Sequence, residues 1–591
     1  MKKIINKPET LVREMCHGIV MAHSDLALDS KNKVIYRKNL NPNKVSLISG
    51  GGSGHEPAHS GFVGKGLLDA AVCGDIFASP SQIQVYQAIK RVSNDRGILL
   101  IIKNYSGDIM NFKNAGLLAQ EDGMKVDYVK VDDDIAVTDS LYTVGRRGVA
   151  GTVFVHKIAG AAAEQGKTLA EVKAVAEKVI MNVKSIGFAL SSCTVPAKGN
   201  AIFELGENEM EYGVGIHGEP GIKRISILSE DELASQMVAS LVKELFDLNK
   251  SNTRKRVAVL VNGFGSTPLM ELYALNSALS RELYHYDIEI ARTFVGNYMT
   301  SLDMAGASIS LLKLDDELES LLDEPCDAAA LSVYGPVETV SYYDAFSVDD
   351  NEVSVSFEIE TPDKFAKISD DKLTLDNLQY IVDVMSASII RNEVSFCELD
   401  SHAGDGDFGM SLAKGFRQLK KEWRDIIAQP DVDIATFLHE CAMIIMEHCG
   451  GASGPIWGSA FRSAGRAASG KKSLTVSDFA ELLCAAVAGI QMTGERSFGR
   501  GAAEGDKTLI DALLPCAEAW VEYAKEGHRF DKAFKIGAEA AVKGAEKTRM
   551  IVARMGRAGT VGERSLGHPD AGAYALGVLF TDISKAVMRA D

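Results

Sequence analysis

Through the first half of the chain, short runs rich in Val, Ile and Leu alternate with glycine-containing loops and helix-like stretches, as at residues 45–49, 98–102, 126–131 and 257–261. Runs of this length and composition predict buried strands, and their spacing predicts an α/β region. Two of them lead into polar loops, 50–57 and 103–108. In open α/β sheets ligands bind beyond the carboxyl ends of strands, so His55 and Asp108 are candidates to face one pocket.

The pattern changes between 345 and 372, where the chain turns acidic and polar, although Val353 to Phe357 alternates well enough for one more strand. A linker is expected at 345–371. Beyond it, Thr374 can cap a helix whose apolar residues Leu378, Val382, Met385 and Ile389 form one stripe. The rest is Ala-rich, helical in period and broken by glycine-rich loops. The expected organisation is therefore two α/β subdomains at 1–185 and 186–344, the second carrying His217, followed by an all-α unit at 372–591. No fixed-period repeat is visible.

A chain of 591 residues exceeds what one core supports, which agrees with several compact units. With 46% hydrophobic and 24% charged residues and 14 prolines, it has the composition of an ordered enzyme. The 63 basic and 80 acidic residues give a net charge of -17, which disfavours general binding to nucleic acid or anionic membranes. The first 16 residues carry no secretory pattern, and no run approaches the roughly 18 apolar residues a bilayer span needs, so a cytoplasmic location is expected. Nine cysteines occur without a CxxC pair, and His439-Glu440 lacks the second histidine of a zinc-protease motif.

Candidate chemistry falls in a few clusters. His217 lies in the glycine-flanked stretch 215–221, where a ligand can approach closely; it reads either as a reactive imidazole or as a hydrogen-bonded turn histidine. Residues 50–57, Gly-Gly-Gly-Ser-Gly-His-Glu-Pro, can wrap N–H groups around an anion or a hydroxyl-rich ligand, yet they match neither a Walker loop nor the dinucleotide fingerprint. Lys103 and Asp108 offer an ammonium and a general base, or a solvated loop ion pair. Asp400, Asp405 and Asp407 gather three hard oxygen ligands around Gly406, suited to Mg²⁺; the spacing is not that of a calcium-binding EF-hand. Residues 450–455 and 505–508 precede helix-like segments, where backbone donors can hold phosphates or simply begin a helix.

Taken together, these segments resemble the dihydroxyacetone kinase family in its single-chain form, over nearly the whole sequence. The matching stretches are 50–59, 71–75, 103–108, 148–160, 191–193 and 215–221, then 400–409, 450–455, 505–515 and 556–572. The resemblance implies an α/β substrate domain joined to a barrel-like helical nucleotide domain, in an ATP- and Mg²⁺-dependent kinase acting on a short ketose. It implies that His217 forms a hemiaminal with the substrate carbonyl, that His55 and Asp108 move protons, and that Gly52, Ser53, Gly54 and Lys103 contact the ketose. It assigns Asp400, Asp405 and Asp407 to two Mg²⁺ ions, and Phe408, Gly409, Met410, Ser411, Ala452, Ser453, Gly501, Arg557, Asp570, Ala571 and Gly572 to the nucleotide. Family members commonly form homodimers whose two domain types meet across chains.

Three departures surround the nucleotide positions. Phe408 stands where relatives usually have His or Thr, Gly559-Thr560-Val561 replaces Ser-Tyr-Leu, and Ala571 replaces the proline of Asp-Pro-Gly. Two further activities occur within the resemblance: a lyase that cyclises an FAD-type nucleotide on the helical domain, which would leave His217 idle, and a non-catalytic sugar sensor, which would need no metal triad.

Overall fold

The computed structural model describes residues 3–137, 145–219, 221–247, 255–339, 342, 358–429 and 431–588. They divide into two compact units, Met1–Ser347 and Val348–Asp591. The strand expected at 353–357 lies outside the described residues.

The first unit is built on two six-stranded sheets. In one, Ser46–Ser53, Ala70–Ile76, Ile98–Lys103 and Val126–Val131 are parallel, and the hairpin of Leu26–Asp29 and Val34–Arg37 closes an edge antiparallel. Ile98–Lys103 is buried at every residue, as a strand covered on both faces must be. The second sheet pairs Val183–Ala189, Gly306–Lys313 and Arg256–Gly263 antiparallel, with Glu289–Gly296 parallel at one edge and Glu209–Tyr212 and Lys223–Ser226 at the other. Every segment expected as a strand from 45 to 261 is one. Two segments expected as loops are placed differently. The strand that begins at Ser46 runs on through the triple glycine to Ser53, because Cβ atoms at Gly50 and Gly52 would lie 2.4 Å from the Val72 carbonyl oxygen and 2.7 Å from the Ala78 nitrogen. Asp108 sits not in a loop but in the first turn of the helix Ser106–Glu121.

Residues 375–588 form a closed ring of eight helices. Leu375–Arg391, Phe408–Ala428, Ile434–His448, Ser453–Ala467, Val476–Phe498, Ile510–Ala524, Phe530–Lys547 and Ala571–Met588 each pack on the next, and the last packs on the first. Thr374 caps the first helix with a reciprocal Thr374–Asn377 box, worth ~1 kcal/mol, and Leu378, Val382 and Ile389 are buried as the stripe requires. The ring surrounds an apolar cavity of about 140 Å³ between residues such as Val382, Trp457, Phe479 and Phe580. This explains why Val476–Phe498 is, by length and mean hydropathy, apolar enough to cross a bilayer: half of its apolar window is buried inside the unit.

Candidate active site

In the first unit, two chain reversals press two histidines together. Gly54, at φ +105°, turns the chain out of Ser46–Ser53 and delivers His55 into the interior. Gly218, at φ +70°, and Gly215, where a Cβ would lie 2.0 Å from Glu219 Oε1, fold the 215–219 turn on itself. The turn is pinned from behind: Glu219 accepts from the His217 backbone N–H (2.9 Å) and from buried Arg147 (3.0 Å), which is also held by Asp134. His217 Nε2 then lies 3.3 Å from His55 Nε2, with the rings edge-on. Phe77, at φ +55°, and Tyr105 pack against the His217 ring at centroid distances of 5.3 and 4.5 Å.

This contact fixes the protons. His55 Nδ1 is 2.9 Å from the Thr300 carbonyl, which can only accept, so Nδ1 carries the hydrogen and Nε2 presents its lone pair. The hydrogen between the two Nε2 atoms therefore belongs to His217. Burial, with Lys103 and then Arg147 adding repulsion, lowers His217 to about 3, and burial, His217 and Lys103 hold His55 well below its ordinary value. Both rings are neutral at pH 7, the state in which an imidazole is nucleophilic.

Beneath them runs a buried polar chain. Lys103 Nζ is 3.7 Å from Asp108 Oδ2 and 3.0 Å from His59 Nε2, and His59 Nδ1 is 3.0 Å from His156 Nε2. Ser79 donates to the other Asp108 oxygen. Burial lowers Lys103 and raises Asp108, in the direction that makes Asp108 a better proton acceptor. Both are fully enclosed, not a solvated loop pair. Ser53 turns its hydroxyl to the Gly74 carbonyl (2.7 Å), and a Cβ at Gly51 would lie 2.5 Å from Lys103 Nζ.

In the helical unit, a cleft of about 210 Å³ is lined by the first residues of three helices, Phe408, Ser453 and Ala571. Three positive helix ends face the cleft, two of them already partly answered by carboxylates: Asp400 accepts from the Phe408 N–H and Asp570 from the Ala573 N–H. Beside them, oxygens of Asp400, Asp405 and Asp407 lie within 4.8 Å of one another. Asp400 accepts from the Gly406 N–H (2.9 Å), and a Cβ at Gly404 would lie 2.3 Å from its Oδ1, so the loop is wrapped tightly around this carboxylate. Burial raises Asp400, and the neighbouring Asp405 and Asp407 add to the rise; a hard cation relieves both effects. The donor set fits Mg²⁺. Burial pushes Asp570 up to about 7, and its carboxylate caps the Ala573 N–H.

Of the expected residues, His217, His55, Asp108, Lys103, Ser53 and glycines 52 and 54 gather in the first unit. Ser411, Ala452, Asp570 and Gly572 line the cleft with Phe408, Ser453, Ala571 and the three aspartates, whereas Gly409, Met410 and Gly501 are not among its lining residues. The Arg557 side chain lies outside the described residues; its backbone forms the 3-10 turn Arg557–Thr560. Sequence reasoning singled out neither Phe77, Tyr105, Thr300, Arg147 and His156 nor, individually, His59. Arg147 adjoins the 148–160 motif and His59 ends the 50–59 motif, so both had a local signal. His156 lies within the 148–160 motif and so had one too; Thr300 had none.

Comparison with known proteins matches a Dak1 domain to residues 17–330 and a DAK2 domain to residues 402–585. The L-erythrulose kinase of Pectobacterium atrosepticum is 32% identical over 100% of this chain and 97% of its own. The dihydroxyacetone-binding subunit DhaK of a PTS-dependent dihydroxyacetone kinase from Listeria innocua is 51% identical over 56% of this chain and 100% of its own. The crystal structure of the C. freundii dihydroxyacetone kinase in complex with AMP-PNP and Mg²⁺ covers 99% of both chains at 31% identity and a TM-score of 0.59.

Proposed function

The chain belongs to the dihydroxyacetone kinase family, and from that premise we propose that it is an ATP-dependent kinase that phosphorylates a terminal hydroxyl of dihydroxyacetone or erythrulose. The observation that carries the reading is the contact between two buried, neutral histidines, His217 and His55, in one enclosed pocket. Bond formation at His217 Nε2 needs a pyridine-type lone pair on that atom, so the ring reacts as the tautomer with its hydrogen on Nδ1. As the Nε2–carbon bond forms, the C=O π bond breaks, the ring loses its Nδ1 proton and the carbonyl oxygen gains one, with the neighbouring His55 Nε2 lone pair able to relay it. The product is a neutral hemiaminal, and a polyol such as glycerol has no carbon that can be trapped this way. Asp108, raised by burial and held by Ser79 and Lys103, takes the proton from the terminal hydroxyl as that oxygen attacks phosphorus.

In the helical unit, Asp400, Asp405 and Asp407 would hold Mg²⁺, which supplies charge neutralisation on the donor phosphates. The N–H groups at the Ser453 and Ala571 helix ends orient those phosphates, the Phe408 N–H holds Asp400, and Ser411, Ala452, Gly572 and Asp570 complete the cleft. The expected contacts of Gly409, Met410, Gly501 and Arg557 with the nucleotide belong to the same reading. So do a homodimeric assembly and a cytoplasmic location; the net charge of -17 supports the absence of nucleic-acid and anionic-membrane partners.

The test is phosphorylation of dihydroxyacetone, D-erythrulose, L-erythrulose and glycerol by wild type and His217→Ala with MgATP. Turnover of a ketose but not glycerol, lost in the variant, is expected. Failure of wild type to phosphorylate any ketose with MgATP overturns the reading, and an FAD-cyclising activity indifferent to His217→Ala would replace it. A second reading concerns the donor: the first unit shares 51% identity with a subunit of a PTS-dependent kinase. Turnover that requires a phosphotransfer protein and ignores added ATP would establish that reading instead.

A further inference from the structure

Lys507, in the Gly505-Asp506-Lys507-Thr508 segment, does not send its ammonium toward the acidic triad. Its side chain is buried, and four main-chain carbonyls share the three hydrogens of Nζ: Thr548 (2.9 Å), Ile551 (3.2 Å), His568 (2.8 Å) and Ser565. A cage of carbonyl oxygens around one positive charge is what a protein otherwise builds for a dehydrated monovalent cation. The backbone at Lys507 is left-handed, φ +63°, so the residue is held in a costly conformation in which the side chain reaches the cage.

The four carbonyls belong to the segment that closes one side of the nucleotide cleft. Met555, Gly556, Ala558, Pro569 and Asp570 line the cleft from that segment, and Lys507 itself, with Thr508 and Leu509, lines it from another, its ammonium turned into the cage. His568, which gives its carbonyl to Lys507, stacks its ring on His402 at a centroid distance of 3.7 Å and an interplanar angle of 14°. His402 lies in the loop that carries Asp400, Asp405 and Asp407. A continuous set of contacts therefore runs from the ammonium through residue 568 to the metal loop.

We propose that Lys507 is a positioning residue that serves as a tethered monovalent cation, drawing the 548–570 segment into the wall of the nucleotide cleft and, through the His568–His402 stack, setting that wall against the acidic triad. The inference rests on the reading of this cleft as the MgATP site. Removing the side chain leaves a carbonyl cage with a preference for a small cation that donates hydrogen bonds. Its loss loosens the wall and weakens nucleotide binding, and a free cation of the right kind reoccupies the cage.

The test uses the full chain as Lys507→Ala and Lys507→Gln. MgADP binding is measured directly by calorimetry, and KM for MgATP and for the ketose by turnover, in sodium, potassium, ammonium or methylammonium chloride at equal ionic strength. For Lys507→Ala we expect MgADP affinity and KM for MgATP to worsen by on the order of 10-fold or more in sodium, matching one lost charged hydrogen-bonding group. The ketose KM should not change. Ammonium or methylammonium should restore most of the loss, while wild type is indifferent to the cation. Lys507→Gln, which fills the cage with a neutral donor, should be intermediate and insensitive to added cations; if the alanine variant does not fold, nucleotide affinity of the glutamine variant equal to wild type overturns the proposal. Unchanged affinity in folded Lys507→Ala, or a loss that no monovalent cation repairs, also overturns it. Wild type that fails to bind MgADP removes the MgATP reading itself, and this inference with it.

Discussion

At the scale of single residues, the chemistry depends on protons that burial has already placed. His217 is lowered to about 3 by desolvation and by Lys103 and Arg147, so across the physiological range it never competes with a proton for its lone pair. We expect a ¹³C-carbonyl-labelled ketose bound to the protein to show a tetrahedral carbon whose occupancy is flat from pH 8 to pH 5 and vanishes in His217→Ala; occupancy falling with a midpoint near 6.5 would mean the ring titrates as if exposed. The same shift has a stability cost with a definite sign. His156, also lowered to about 3, stays unprotonated in the fold between its folded and ordinary unfolded values, where the unfolded chain binds a proton. Stability thus rises with pH through that window and is lost as pH falls, at about 1.4 kcal/mol per pH unit for each such histidine. Replacing His156 with Gln should flatten the acid side of the stability profile by that slope, measured as melting of the first unit's transition. Asp108→Asn should lower kcat by on the order of 10² to 10⁴-fold while hemiaminal formation persists, separating the base from the trap.

At the scale of elements, the glycines of the first strand illustrate what a sequence can and cannot reveal. Gly52 faces the backbone of Phe77 and Ala78 at 2.7 to 2.9 Å from where a Cβ would stand, and backbone cannot yield as a flexible side chain can. Gly52→Ala should displace the end of Ser46–Ser53, raise the ketose KM at least ~10-fold and lower the melting temperature of the first unit, whereas an alanine at Gly18, with nothing within 4 Å, should change neither. The strand was legible because Val45, Leu47 and Ile48 make residues 45–49 a short β-rich run; its continuation through three glycines was not, because the close approach to Val72 and Ala78 is set by a neighbouring strand and the turn that follows it. Likewise the Thr374-capped helix was legible from its stripe, and Lys103 with Asp108 from their place after an apolar run. The acidic triad was legible because its members are close in sequence. His59 and His156 form one hydrogen bond across 97 residues, and the Thr300 carbonyl that fixes the His55 tautomer comes from 245 residues away. Such partners are chosen by tertiary packing, and local pattern carries no trace of them.

At the scale of the whole molecule, the proposed reading puts the trapping histidine and the phosphate-binding aspartates in separate compact units, Met1–Ser347 and Val348–Asp591. One phosphoryl group must nonetheless pass directly from a donor held near Asp405 to a hydroxyl held by His217, and in-line transfer allows no gap. A homodimer whose units meet across chains has a consequence that a self-sufficient chain lacks. Mixing His217→Ala chains with Asp405→Ala chains gives mixed dimers in about half the population. Each mixed dimer then combines an intact substrate unit of one chain with an intact nucleotide unit of the other at one of its two sites. Unfolding and refolding the two inactive variants together should therefore restore about one quarter of wild-type ketose phosphorylation, while either variant refolded alone stays inactive. Recovery near zero from dimers shown to have exchanged would mean that each chain phosphorylates its own ketose. Because the variants act on different units, the MgADP affinity of His217→Ala and the hemiaminal signal of Asp405→Ala should both remain at wild-type level, so a lack of recovery cannot be confused with a lack of folding.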